Sequence, residues 1–201
     1  MRLEKMREHN EFLVNWFNRL VESYYARLCD FSFYVVHSRE MAEEIVDDVF
    51  MKVWDRIDEV YHIENITAYL FRAVKNTALN YLESKYRHPV DFFDNLSEIF
   101  VPIEMKNPEE EMISGQLMAA ISEAIQALPE RCKLIFLLAK ENGLKYREIA
   151  DILGLSEKTV ENQISIALKK ISEQLQKGQL PSKGRNKGIS GFLSSVFVIF
   201  F

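Results

Sequence analysis

No glycine and no proline occurs between residues 1 and 88 of this 201-residue chain. These residues are the chief interrupters of helices and the chief turn formers of hairpins. So long a stretch without them, patterned at three and four residues, excludes a strand-rich domain and predicts almost continuous helix. Aromatic and β-branched residues are present but do not alternate, so the fold class is all-α. Cysteine is scarce: Cys29 and Cys132 are isolated, with neither metal-ligand spacing nor a disulfide framework, as befits packing residues in a reducing cytoplasm. Basic charge is not in excess, since the net charge is −5, so contact with nucleic acid has to come from local patches rather than a basic coat. His9, His37, His62 and His88 are scattered, and there is no phosphate-binding glycine loop. No catalytic constellation, cofactor site, metal site or small-molecule substrate is therefore expected. The charged N-terminus, Met-Arg-Leu-Glu-Lys-Met-Arg-Glu-His-Asn, is not a secretory signal.

The most specific stretch is 143–171. Ile149, Ile152 and Leu153 give one helix an inward face, and Gly154 follows where helices end in a left-handed residue. Ser156 can cap the next helix, with Leu155 and Val160 as a hydrophobic staple. In that second helix Val160, Ile164, Ala167, Leu168 and Ile171 repeat at helical spacing. Lys158, Thr159, Asn162, Ser165 and Lys169 then project outward, suited to base edges and phosphates. This is the pattern of a DNA-binding helix-turn-helix; a plain helical hairpin with a solvated face gives the same pattern.

In residues 1–87, Phe12, Trp16, Leu20, Tyr24 and Leu28 mark one or two long amphipathic helices and are read as core. Ser38 can cap a helix in which Met41, Ile45, Val46, Val49, Val53 and Trp54 face inward and Glu43, Glu44, Asp47 and Asp48 form an acidic ridge. Such a ridge is either a solvated face or a dock for a basic partner. After a connecting loop at 55–65, a helix runs from about Ile66 to Lys85 with Leu70, Val74, Ala78 and Tyr81 inward. Tyr69, Arg72, Asn76 and Asn80 line another stripe, with Phe71 and Lys75 beside it. Aromatic, cationic and amide groups together suit single-stranded DNA, although an ordinary amphipathic helix can carry them too.

Pro89, Pro102 and Pro108 with seven acidic residues mark 88–115 as a linker, in which some of Phe92, Phe93, Leu96, Ile99 and Phe100 should be buried. A second domain at 116–177 starts with a helix carrying Leu117, Ala120, Ile121, Ala124 and Leu128 inward. Pro129 then stands in the first turn of a helix holding Leu134, Leu137 and Leu138. The tail, 178–201, is basic at Lys183, Arg185 and Lys187 and then apolar from Ile189 to Phe201. Thirteen residues are too few for a membrane span, which takes about twenty. Contact with a membrane surface, packing on protein, and dispensable disorder compete as readings of the tail.

Residues 39–54, Arg-Glu-Met-Ala-Glu-Glu-Ile-Val-Asp-Asp-Val-Phe-Met-Lys-Val-Trp, and 68–76, Ala-Tyr-Leu-Phe-Arg-Ala-Val-Lys-Asn, resemble region 2 of the extracytoplasmic-function sigma factors of bacterial RNA polymerase. The stretch from Leu128-Pro129-Glu130-Arg131 to Lys170-Ile171 resembles their region 4, in the right order and at the right separation. The resemblance implies a sigma factor: a non-enzymatic protein that takes the polymerase core to specific promoters and assists melting. It implies that the acidic helix binds the clamp coiled coil of the largest polymerase subunit, with Glu44 and Asp48 at the family's usual acid positions. Tyr69, Arg72, Lys75 and Asn76 are implied to contact the minus-ten element. The loop around Tyr61, His62 and Asn65 is implied to hold a base flipped from the melted strand. The linker is implied to thread towards the RNA channel, and the second helix of the pair to read the minus-thirty-five element in duplex DNA.

There are departures. Asp47 stands where glutamine is frequent, Lys75 and Asn80 replace the common arginine and aspartate, and Glu83 falls where a basic residue is usual. Glu161, Asn162, Gln163 and Ile166 occupy positions where basic residues are frequent, so the preferred upstream sequence should differ. Partners implied are the polymerase core, promoter DNA as duplex and melted strand, and an anti-sigma factor, which in this family is commonly embedded in the membrane. The implied location is the cytoplasm, with membrane association through that partner or through the apolar tail. Two other classes remain: a helix-turn-helix regulator with an N-terminal helical sensor domain, and a membrane-associated helical interaction protein, which the tail alone suggests.

Overall fold

In a computed structural model, residues 2–86 and 113–177 are described, and all their regular structure is helical. The linker aromatics, Leu117's side chain, His88 and the tail lie outside what is described there. The chain divides into two compact units, Met1–Ile99 and Phe100–Phe201.

The first unit contains α1 (Arg2–Val36), α2 (Arg39–Asp55), α3 (Ile57–Val60) and α4 (Ile66–Tyr86). Without a glycine available, α1 stops at His37, whose φ of 55° is left-handed and whose N–H donates to the Phe33 carbonyl at 3.0 Å. A non-glycine residue there is uncommon. Ser38 then caps α2, its Oγ accepting from the Met41 N–H at 3.3 Å. Helix α4 packs on both α1 and α2, so its buried arc is wider than one stripe: Ala68, Leu70, Phe71, Val74, Ala78 and Leu82. Phe71, expected beside the outer stripe, is fully enclosed and meets Phe31 edge-on at 5.1 Å. Tyr81, expected inward, is only half-buried, and Leu82 takes the inner position. The Tyr24 and Thr67 hydroxyls bond at 2.7 Å and tie α1 to α4.

Trp16, Tyr24 and Met41 are likewise only half-buried, and two core expectations fail outright at helix edges. Trp54 is 44 % exposed rather than inward, because Ala42 and Phe50 fill the inner face of α2 instead. Phe12 is likewise 44 % exposed, and Leu13 is the buried residue in that turn.

The second unit contains α5 (Ile113–Gln126), α6 (Glu130–Lys140), α7 (Tyr146–Leu153) and α8 (Glu157–Lys177). Pro129 is the residue capping α6 (φ −55°, ψ 141°) rather than its first helical residue. Every residue from Cys132 to Leu138 is buried, as for a helix enclosed on all sides. That includes Lys133, 2 % exposed, whose Nζ donates to Glu130 Oε1 at 3.0 Å and to Gln126 Oε1 at 3.4 Å. Among the described residues, no helix is long and apolar enough to cross a membrane.

Both cysteines are buried, and burial pushes the Cys29 thiol up to about 11 and the Cys132 thiol up as well. The thiolate is the reactive form, and at pH 8 such a Cys29 is about a thousandth ionised. Native protein should therefore leave both thiols unmodified by a disulfide reagent at pH 8, with two reacting on denaturation; rapid native labelling would contradict the packing.

Candidate nucleic-acid and protein interfaces

The turn of the helix pair is built as its residues dictate. Gly154 adopts φ 69°, ψ 36°, and the Ala150 carbonyl accepts from both the Gly154 and Leu155 N–H groups. That is the glycine-ended helix stop. Ser156 Oγ accepts from the Thr159 N–H at 3.0 Å and bonds Thr159 Oγ1 at 2.8 Å. Val160, Ile164, Ala167 and Ile171 are buried. Lys158, Asn162, Ser165, Ile166 and Lys169 are exposed, while Thr159 and Gln163 are half-buried. Seven residues on α8 thus form one accessible run, though part of it is already engaged. The Gln163 carbonyl accepts from Cys132 Sγ at 3.3 Å and the Ser165 hydroxyl donates to the Glu161 carbonyl at 2.9 Å. Lys158 pairs with Glu161 at 2.7 Å and Lys169 with Glu173 at 3.9 Å. Those acids lower the net positive potential that the helix offers to phosphate.

On α2, Glu43, Glu44, Asp47 and Asp48 are all exposed. Glu43 lies 4.0 Å from Arg39, which also meets Asp30 at 2.7 Å. Asp47 accepts from the Tyr25 hydroxyl at 2.9 Å, and burial together with that bond pushes the Tyr25 phenol far up. Glu44 and Asp48 make no ion pair with any described residue. Sequence reasoning missed the groove beside this ridge, lined by Phe17, Val21, Tyr25, Phe50, Met51 and Trp54 with Asp47 and Asp55 at its edge. Its signal was the spacing of Asp47, Met51 and Trp54, one turn apart on α2.

On α4, Arg72, Asn76 and Asn80 are exposed, whereas Tyr69 and Lys75 are half-buried. The preceding loop is less free than the sequence suggests. Asn65 caps α4, its Oδ1 accepting from the Ala68 N–H at 3.0 Å. Tyr61 sits between Phe12 and Trp16, both 5.4 Å away, and His62 stands exposed 5.2 Å from it.

Two family descriptions match the chain: "Sigma-70 region 2" over residues 20–88 and "Sigma-70, region 4" over residues 118–171. The chain is 30 % identical over 166 residues to the ECF RNA polymerase sigma-E factor of Escherichia coli strain K12, covering 80 % of this chain and 86 % of that one. The chain belongs to the extracytoplasmic-function sigma factors of the sigma-70 family. The RNA polymerase sigma-H factor of Pseudomonas aeruginosa strain PAO1 is 25 % identical over 169 residues, with the same coverage of both chains. The sigma factor RpoE of Bartonella quintana, solved in complex with the anti-sigma factor NepR, shares the fold. Its TM-score is 0.51 at 20 % identity, over 81 % of this chain and 98 % of that one. As a sigma factor, this chain directs RNA polymerase to promoters; the helix-turn-helix regulator is not favoured.

Proposed function

We propose that the sigma factor divides promoter recognition among three surfaces, with residues 1–87, 88–115, 116–177 and 178–201 as its working segments. The α2 ridge of Glu43, Glu44, Asp47 and Asp48, with the apolar groove beside it, docks the polymerase core. The mixture matters: acids steer a basic partner into contact, and burying Phe17, Met51 and Trp54 supplies the affinity that exposed charges lack. The α4 stripe of Tyr69, Arg72, Lys75, Asn76 and Asn80, with the Tyr61 to Asn65 loop, holds the melted minus-ten strand. Its chemistry fits unpaired bases, because aromatic faces stack, cations hold phosphate and amides pair with base edges. Helix α8 reads the duplex upstream element through Lys158, Thr159, Asn162, Gln163, Ser165, Ile166 and Lys169. An anti-sigma factor, like the one bound to the Bartonella relative, is a further partner, and the cytoplasm is the place of work.

The observation that carries this reading is the exposed amide and cation row of α4, on the same packed unit as the acidic ridge. Its test is Asn76→Ala in the holoenzyme. A good base contact is worth about 1–3 kcal/mol, so promoter opening should slow about 5- to 150-fold. Fluorescence of a base analogue in the melted stretch measures it, with core affinity unchanged. An opening rate equal to the parent's would remove Asn76 from the strand-binding surface.

A further inference from the structure

Helix α3 has four residues, too few to hold itself together. It and the segment after it are gripped instead by three points on α1. His9 Nε2 lies 3.3 Å from Asp58 Oδ1. One turn on, Phe12 meets the Tyr61 ring edge-on at 87°, and a further turn on Trp16 does the same at 85°. Rings four residues apart on a helix project from one face, so Phe12 and Trp16 form a fork around Tyr61. Two perpendicular edge contacts fix both the place and the rotation of that ring. At the loop's other end, Asn65 is committed to capping α4. Residues 62–64 are thereby strung between two fixed points, with His62 and Glu64 exposed. Phe12 keeps 44 % of its surface open although it is a large apolar residue. Core packing alone does not call for it there, whereas a prop for Tyr61 does.

We infer that Phe12 and Trp16 of α1 are positioning residues for capture of an unpaired base: they hold Tyr61 and so preset the 61–65 loop before the strand arrives. The inference rests on the reading of that loop as part of the strand-binding surface. A preset loop does not have to be ordered on binding, so ring loss is felt in single-strand affinity and not in the other two surfaces.

The test uses full-length chain assembled with polymerase core. One probe is a labelled single-stranded oligodeoxynucleotide from the melted stretch of a promoter on which the holoenzyme initiates; the other is the duplex upstream fragment of that promoter. Phe12→Ala and Trp16→Ala should each weaken single-strand binding about five- to tenfold, leaving the affinities for upstream duplex and core as in the parent. Phe12→Tyr and Trp16→Phe should restore it to within about twofold, because each keeps a ring. Tyr61→Ala, measured alongside, separates the two levels of the argument. If Tyr61→Ala weakens strand binding and the two fork variants do not, the positioning role is overturned while the loop reading stands. If Tyr61→Ala binds the strand as the parent does, the loop reading falls and the positioning role with it. Equal losses on strand, duplex and core would mark general damage and overturn the inference too. Phe12, being partly exposed, gives the variant that keeps its fold, which circular dichroism checks.

Discussion

Replacing Glu44 and Asp48 together by lysine is expected to abolish binding to the polymerase core while leaving the helical content of the chain unchanged. Each substitution turns a negative charge into a positive one, so a surface proposed to attract a basic partner would repel it at two points one helical turn apart. Like charges brought together across an interface cost several kcal/mol, enough for a loss of more than about a hundredfold. The fold should tolerate the change because both side chains are exposed and neither pairs with a described residue. Within α2, one like-charge pair at i, i+4 merely replaces another. The neighbours with local structural roles, Asp47 beneath the Tyr25 hydroxyl and Glu43 beside Arg39, are untouched. Titration of labelled core measures the effect, with circular dichroism as control. Core affinity within a few-fold of the parent's would place the docking surface elsewhere.

The second large effect is expected at Glu130. Its carboxylate faces Lys133, whose side chain is only 3 % exposed, at 3.0 Å. Removing one partner of a buried pair leaves a charge with neither water nor counter-ion, at a typical cost of about 3–5 kcal/mol. Glu130 is itself 17 % exposed and Gln126 remains near the ammonium, which puts Glu130→Ala at about 2–3 kcal/mol. In a small helical unit this lowers the midpoint of thermal unfolding by upwards of about 10 °C. Glu130→Gln combined with Lys133→Met should be far milder, because it removes both charges and keeps the volume. The pair of unfolding curves decides the matter: similar losses for both variants would mean that packing, not charge pairing, makes position 133 matter.

Much of the fold was legible because it followed from local rules. The missing glycines and prolines up to residue 88 gave helix, and the Gly154 and Ser156 signals gave the turn with its cap. What stayed hidden depended on partners distant in sequence. Phe71 lies next to Leu70 and is about 100° from it around the helix, so periodicity alone left it on the margin. Phe31 of α1 encloses it. Trp54 shows the converse: it looks like core by spacing, but α2 has enough inner residues without it, and the ring edges an open groove beside Phe17. The stop at His37 had no glycine to announce it. Lys133 was hidden for another reason: its charge is answered by Glu130, one turn back on its own helix α6, and by Gln126 at the end of α5.

The proposed site residues divided in the same way. Exposure of the acidic ridge and of Arg72, Asn76 and Asn80 follows from helical spacing and was correctly anticipated. The double duties were not. Asn65 is a cap, Tyr61 is held by α1, and Lys158 and Lys169 are shared with acids on their own helix. The duplex reading proposed for α8 needs only modest affinity when the polymerase is anchored elsewhere on the promoter, since a second contact is then made at high effective concentration.

The most direct measurement of the central claim is transcription by a reconstituted holoenzyme. Core RNA polymerase alone and core with this chain are given fragmented genomic DNA, and the transcript starts are mapped. The account predicts discrete starts that depend on the added chain, each with a shared upstream and a shared minus-ten sequence. Starts unchanged by the chain, although it binds duplex DNA without the core, would contradict it.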